Sequence, residues 1–399
     1  KNQLIIDTMI KLCSQDTCTG CGACYNICSR KAINMSQDAE GFLYPIINVT
    51  LCVECGLCEK ICPILHPLGK YKPADVPIAA ISKDQFIVKE SSSGGVFSVL
   101  SKYILENEGL VYGATMDEIY NIYHTVVHNE LELARLRGSK YVQSNTLETF
   151  REVKTYLKGH RKVLYCGTPC QIAGLRNYLG NIDTEHLYTI DLICHGVPSR
   201  KMFKTYIEKL AAYKGVTPSD FQNFQFRQFD HWGSYKSSYM KDGKRVLLST
   251  EESIYMSLFL TNRLHRKSCY RCIYTTPARV GDITLADFWG IGSLAPFTTD
   301  TSKGCSMVLI NSDKGQVLFS QIAEELIYEH RTWNEAINNN QQLTKTVVCP
   351  KDRSLAIQYL LEKSYRETYN NFFNTPKIRF NRFIGRILQQ LHLLKLINK

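Results

Sequence analysis

The chain has 399 residues, 44% hydrophobic and 21% charged with 12 prolines, which excludes a mini-protein or a disordered chain and predicts two or three modules with one sizeable core. No run of eighteen apolar residues occurs and no leader pattern opens the chain, so a soluble cytoplasmic protein is expected, with Lys1 in place of methionine allowing for a trimmed segment. The net charge of +11 is uneven, residues 1–68 holding five basic and six acidic side chains and residues 351–399 ten and three.

A basic body suits phosphate-bearing cofactors, acidic partners or an anionic surface, and equally a plain solvated face. No nucleic-acid partner is expected. Of the 16 cysteines, nine fall within the first 62 positions. Such density without a secretory leader predicts metal ligation in a reducing compartment and not a disulfide framework.

Two self-similar segments come first, Cys18-x2-Cys21-x2-Cys24-x3-Cys28 and Cys52-x2-Cys55-x2-Cys58-x3-Cys62-Pro63. A 4Fe-4S cube needs four converging thiolates, and in a doubled run of this kind each fourth cysteine ligates the other cluster. That rule assigns Cys18, Cys21, Cys24 and Cys62 to one cluster, and Cys52, Cys55, Cys58 and Cys28 to the second. Gly20, Gly22 and Gly56 suit the tight loops required. Two zinc sites are the alternative, but zinc motifs usually come as separated cysteine pairs. The segment resembles bacterial two-cluster ferredoxins, with Ser29 where proline usually follows the fourth cysteine. Cys13 is left over as a small, partly buried thiol.

Pro63, Pro67, Pro73 and Pro77, interleaved with Gly69, Lys70 and Lys72, read as a stiff connector. The expected organisation is a ferredoxin-type module over 1–69, a linker over 70–77, a body over 78–345 and a basic helical tail over 346–399. In the body, apolar strands at Ile78 to Ser82, Leu110 to Ala114, Lys162 to Tyr165 and Leu187 to Ile193 alternate with helical stretches, an α/β signature. Residues 221–249 give three short segments broken at His231-Trp232-Gly233 and Asp242-Gly243, an antiparallel excursion. The predicted fold class is therefore mixed α/β or α+β. In the tail, Phe383, Ile384, Ile387, Leu388, Leu391, Leu394 and Leu396 with Arg382, Arg386 and Lys395 make an amphipathic basic helix, docked on its own core or a partner, or against a membrane surface.

Between a strand and a helix lies Ser91-Ser92-Ser93-Gly94-Gly95-Val96-Phe97. Serine caps and glycines at a helix start make an anion site, although a plain capped helix has the same look. Further strings follow in order: Leu136-Arg137-Gly138-Ser139-Lys140-Tyr141-Val142-Gln143-Ser144, Gly167-Thr168-Pro169-Cys170-Gln171, Asp191-Leu192-Ile193-Cys194-His195-Gly196-Val197-Pro198-Ser199, Cys269-Tyr270-Arg271-Cys272, and Gly281-Asp282-Ile283 through Asp287-Phe288-Trp289-Gly290. Over roughly residues 78–345 the chain thereby resembles the family of coenzyme F420 hydrogenase/dehydrogenase beta subunits.

The resemblance implies an FAD protein with its own 4Fe-4S cluster beside the flavin, acting on deazaflavin, tetrapyrrole or another small molecule. The family's recurrent cysteines fall on Cys170, Cys194, Cys269 and Cys272. Taken alone, Cys269-x2-Cys272 also suits zinc or a redox disulfide. Cys166, Cys305 and Cys349 read as structural thiols. By the same resemblance Ser92, Ser93, Gly94 and Gly95 surround the FAD pyrophosphate, and Ser139, Lys140, Tyr141 and Gln143 lie near its ring or ribityl chain. A solvated Lys140 and a core Tyr141 are the plain alternative. His195, with Asp191 four residues before it, makes either a proton relay or a satisfied buried histidine. Asp287 and Trp289 border a substrate pocket or close a turn, and no catalytic residue is assigned.

These parts predict an iron-sulfur flavoprotein oxidoreductase that exchanges electrons between a small-molecule substrate and a one-electron carrier such as ferredoxin or a redox partner subunit. An electron-transfer subunit with no substrate of its own, or a flavin-free scaffold, are the alternatives.

Overall fold

The computed structural model describes residues 10–227 and 232–375, so the expected tail helix over 382–396 and the break residue His231 lie outside the described residues. An N-terminal hairpin pairs β1 (Ile33–Gln37) with β2 (Leu43–Ile47). The strands β3 (Ile78–Ser82), β4 (Leu110–Met116), β5 (Ile122–Val127), β6 (Val163–Gly167) and β7 (Leu187–Leu192) follow. Next come the short β8 (Gln222–Gln225), β9 (Ser238–Lys241) and β10 (Lys244–Leu247), then β11 (Ile283–Asp287), β12 (Ser306–Ile310) and β13 (Leu326–His330).

Eight of these form one sheet in the order β13-β3-β12-β11-β7-β6-β4-β5. Its centre, β11-β7-β6-β4, is parallel, and antiparallel strands close both sides. All five residues of β3 are buried, which explains why Ile78 to Ser82 is a continuous apolar run and not an alternating one. The excursion forms its own sheet, β10-β9-β8, and the β9-β10 hairpin turns at Asp242 and Gly243, both at positive φ.

Helices cover both faces. Val99, Leu100 and Ile104 of the helix Val96–Glu106 and Leu318, Phe319 and Ile322 of the helix Asp313–Ile322 pack on Val111, Leu164, Ile190 and Val308. Phe150, Val153 and Leu157 of Thr149–Lys158 and Ile172 and Leu175 of Pro169–Leu179 pack on Tyr112, Tyr165 and Leu187 of the opposite face. A third cluster joins the helix Arg200–Lys214 to Ala356, Ile357 and Leu360 of Arg353–Glu362 and to Tyr365.

The N-terminal segment is built into this body. Cys21 and Ala23 belong to the cluster under Pro169–Leu179, and Cys18, Phe42 and Tyr44 to the one beside Arg200–Lys214. Arg266, fully buried, donates through Nε to the carbonyl of Cys18 (2.7 Å) and through Nη2 to that of Leu43 (2.9 Å), with its guanidinium 4.1 Å from the Tyr44 ring centroid. Arg353 holds Glu40 at 2.6 and 2.9 Å from more than three hundred residues away in sequence. Gly22 shows the closeness of the fit: its φ is +81°, and a β-carbon there would meet Thr146 Oγ1 at 2.3 Å.

Candidate functional site: cysteine sets around an internal cavity

The two cysteine runs fold alike. Gly22 and Gly56 occupy equivalent positions, each left-handed and each opening a short helix, Ala23–Ile27 and Leu57–Lys60, which lifts Cys24 and Cys58 toward their partners. Cys13, Cys18, Cys21, Cys24 and Cys62 line one small cavity of about 20 Å³. This brings together the first predicted ligand set and adds Cys13, whose sulfur lies 3.8 Å from that of Cys62. Hydrogen bonding from Cys13, with Arg266 close to Cys18, holds both Cys18 and Cys62 down at about 6. Burial instead pushes Cys21 up to about 12. In the second set, Cys52 and Cys55 lie within electrostatic range of Cys58, and Cys55 is exposed. Cys28 accepts a hydrogen bond from the Ala32 amide at 3.2 Å.

A larger cavity of about 360 Å³ opens where β6, β7 and β11 end, the crevice outside the carboxyl ends of parallel strands where α/β folds place ligands. The string Gly167-Thr168-Pro169-Cys170-Gln171 is a strand end followed by a helix start. Thr168 is the N-cap, its amide donating to Gln171 Oε1 at 3.0 Å, and Pro169 takes the first helical position, where its missing N–H costs nothing. This sets Cys170 in the first turn, facing the cavity. Cys194 follows β7, and Cys269 and Cys272 come from the 3-10 turn Lys267–Arg271 and its end. All four line the cavity, and Cys194 lies within electrostatic range of the other three. Burial pushes Cys170 up to about 11, Cys269 up to about 12 and Cys194 well above its ordinary value. Thiolates so placed need a compensating positive charge to form.

The two sulfur groups adjoin. Cys21 lies within electrostatic range of Cys170, and a β-carbon on Gly174, one turn along the Cys170 helix, would sit 2.9 Å from Cys21 Sγ.

Of the residues expected near a flavin, Ser92, Ser93, Gly95, Ser139, Lys140, Tyr141 and Gln143 line the large cavity. Gly94 does not. It packs against the sheet, where a β-carbon would be 2.3 Å from the Ala80 carbonyl oxygen. The expected serine caps are corrected by the structure: the N-cap of Val96–Glu106 is Gly95 at φ +86°, with no side-chain cap. Ser91 donates to the Ile87 carbonyl, Ser93 to that of Cys305, and Ser92 accepts from the Ser139 amide at 2.9 Å. The Ser98 amide donates to the Gly95 carbonyl at 2.9 Å, and the Val96 and Phe97 amides before it have no side-chain cap.

Lys140 is half-buried in the cavity wall. Its ammonium donates to the carbonyls of Arg137, Leu136 and Arg135, and burial lowers its pKa to about 7. Tyr141 lines the cavity while its ring packs 4.7 Å from that of Phe259.

The suggested relay from Asp191 to His195 is corrected too. Asp191 is fully buried, pairs with Arg279 at 3.1 Å, and accepts from Thr284 and from the amides of Val280 and Gly281. Those bonds close the β7-β11 seam. His195 lines the cavity near Asp287 instead, with burial lowering its pKa. Asp287 and Trp289 also line it: Asp287 binds Arg227 Nη1 (2.7 Å) and the Trp232 indole (2.8 Å), and Trp289 stacks on Trp232 at 4.8 Å. Sequence reasoning missed Arg227 and Arg266, because a single buried arginine carries no periodic signal.

Among the described residues no helix is long and apolar enough to cross a membrane. Compared with known protein families, residues 17–64 match the model of the 4Fe-4S dicluster domain. Residues 78–151 match the model for the N-term of the coenzyme F420 hydrogenase/dehydrogenase beta subunit, and residues 160–335 the model for its C terminus. The chain is 22% identical over 328 residues to one of the subunits of the F(420)H(2) dehydrogenase of Methanosarcina mazei, covering 78% of this chain and 84% of that one. It is 31% identical to the coenzyme F420-dependent sulfite reductase of Methanocaldococcus jannaschii over 165 residues, 40% of this chain and 24% of that one. A chain of the F420-reducing NiFe hydrogenase complex from Methanosarcina barkeri, solved as a xenon derivative, superposes with a TM-score of 0.47 at 20% identity, covering 76% of this chain and 93% of that one. The two beta-subunit models together span most of the body, and the chain belongs to the family of coenzyme F420 hydrogenase/dehydrogenase beta subunits.

Proposed function

We propose that this chain is an iron-sulfur flavoprotein oxidoreductase holding three 4Fe-4S clusters and one FAD. The observation that carries the reading is the convergence of Cys170, Cys194, Cys269 and Cys272 on the cavity that also holds Ser92, Ser139, Lys140 and Gln143. A flavin bound there would exchange an electron pair with a substrate and single electrons with the clusters. The uncapped first turn of Val96–Glu106 and the hydroxyls of Ser92 and Ser93 would hold its pyrophosphate. Lys140, already bonded to three carbonyls, would present to the ring, in its protonated form, a positive charge that favours an anionic reduced state.

The sets are ordered in space. Cys55 is exposed, Cys21 is buried against the Cys170 helix, and the third set faces the cavity. Electrons from a carrier would therefore meet Cys52, Cys55, Cys58 and Cys28 first, then Cys18, Cys21, Cys24 and Cys62, then the third set. His195, Asp287 and Trp289 would border the substrate, whose class we take to be a planar heteroaromatic such as a deazaflavin, given the Trp289 indole on the cavity wall.

Anaerobic iron, sulfide and flavin quantification on one sample tests this: about twelve irons and one FAD per chain are expected for three cubes. About eight irons removes the third cluster, and protein that stays colourless after reconstitution with FAD removes the flavin. A second reading, an electron-transfer subunit without its own substrate, is favoured by the naming of a relative as a subunit of an F(420)H(2) dehydrogenase. Stoichiometric copurification from native cells would distinguish it.

A further inference from the structure

Tyr274 lies two residues past Cys272, 6% exposed, in the packed cluster that contains Cys21, Cys170 and Cys272. Its backbone is fixed by Arg279, whose Nη1 donates to the Tyr274 carbonyl at 2.8 Å. Its hydroxyl is buried and has no hydrogen-bond partner among the described residues. A buried phenol without a partner costs about 1–3 kcal/mol, so such groups are rare unless something absent from the polypeptide accepts the proton. The groups nearest in charge are all sulfurs: Cys170 foremost, then Cys21, Cys272 and Cys62. Tyr274 therefore stands at the junction of the first N-terminal set and the third set.

We propose that the Tyr274 hydroxyl donates a hydrogen bond to a sulfur of the cluster held by Cys170, Cys194, Cys269 and Cys272, and so raises that cluster's reduction potential. The inference rests on the three-cluster reading above. The third set is chosen because Tyr274 shares a loop with Cys272, lines the same cavity and lies closest in charge to Cys170. A cluster gains negative charge on reduction, and a donor at its sulfur stabilises that form more than the oxidised one. Tyr274 is thus a positioning residue that draws the electron from the neighbouring Cys21 cluster toward the cavity.

The test is a potentiometric titration, read by electron paramagnetic resonance, of the anaerobic full chain and its Tyr274→Phe variant. The third cluster's signal is identified by its loss in Cys170→Ser. Phenylalanine keeps the ring and its packing, so iron per chain and the midpoints of the other two clusters should not change. At a fixed poise the reduced-to-oxidised ratio of the third cluster should fall about tenfold, ~59 mV for a one-electron couple. An unmoved third midpoint, or a shift confined to the N-terminal pair, overturns the inference. Should the phenylalanine variant fail to load iron, Tyr274→Leu removes the same hydroxyl and is held to the same outcome. Wild-type protein with only about eight irons fails the underlying reading instead, a result visible before any variant is made.

Discussion

Gly174 lies against Cys21: a β-carbon on this helical glycine would be 2.9 Å from the cysteine's sulfur and 3.0 Å from its β-carbon. No other side chain fits between the two sulfur sets at that point. Gly174→Ala gains up to about 1 kcal/mol of helix preference but overpacks the contact, at a cost of ~1–3 kcal/mol. Because Cys21 is held in a loop by its neighbours, the second effect should win. A lower melting temperature is expected and, on the proposed three-cluster reading, a loss of about four irons per chain. Calorimetry and iron assay would check both, and unchanged values would remove the close approach as a constraint.

Lys140 supplies a pH dependence. Burial lowers its pKa from 10.5 to about 7. Below pH 7 both folded and unfolded chains carry the proton, while from about 7 to 10.5 only the unfolded chain does, so stability rises with pH across that window. The contribution is ~1.4 kcal/mol per pH unit between those limits. Lys140→Met should abolish this slope while leaving three carbonyls without their donor. Denaturant midpoints of both proteins from pH 7 to about 9 would show it, and parallel slopes would refute it.

Arg227 and Asp287 form a pair at 2.7 Å with the arginine only 2% exposed. Removing one partner of such a pair strands the other charge, a loss of about 3–5 kcal/mol. Arg227→Met should lower stability by that amount and unstack Trp232 from Trp289. Tryptophan fluorescence followed through unfolding reads both effects.

Exposure orders the loss of iron. Cys55 is exposed, whereas Cys18, Cys21 and Cys62 are buried. On admitting air the first phase should remove about four irons from the outer set, and a Cys55→Ser protein should lack that phase. Simultaneous loss of all iron would contradict the spatial order.

The legible parts of the sequence were those with a repeating signal. Ile78–Ser82 read correctly to the residue because both faces of β3 are buried, leaving an unbroken apolar run. The two cysteine runs announced their loops through Gly22 and Gly56, both at positive φ. The third set was different. Cys170, Cys194 and the Cys269–Cys272 pair stand at the ends of separate elements, and no spacing rule joins them, so resemblance alone grouped them. The serine caps failed because those hydroxyls found the Ile87 and Cys305 carbonyls and the Ser139 amide instead. Asp191 failed as a relay for a similar reason, since Arg279 lies 88 positions away in sequence and its approach shows only in the fold.

Glu40 meets its arginine only after residue 353 has been synthesised, and Cys18 waits likewise for Arg266. The N-terminal segment therefore leaves the ribosome long before its anchoring partners exist, while its nine thiols are open to the machinery that inserts iron. Metal delivery can precede closure of the body over Cys21, and a chain released without iron would shut that site from assembly.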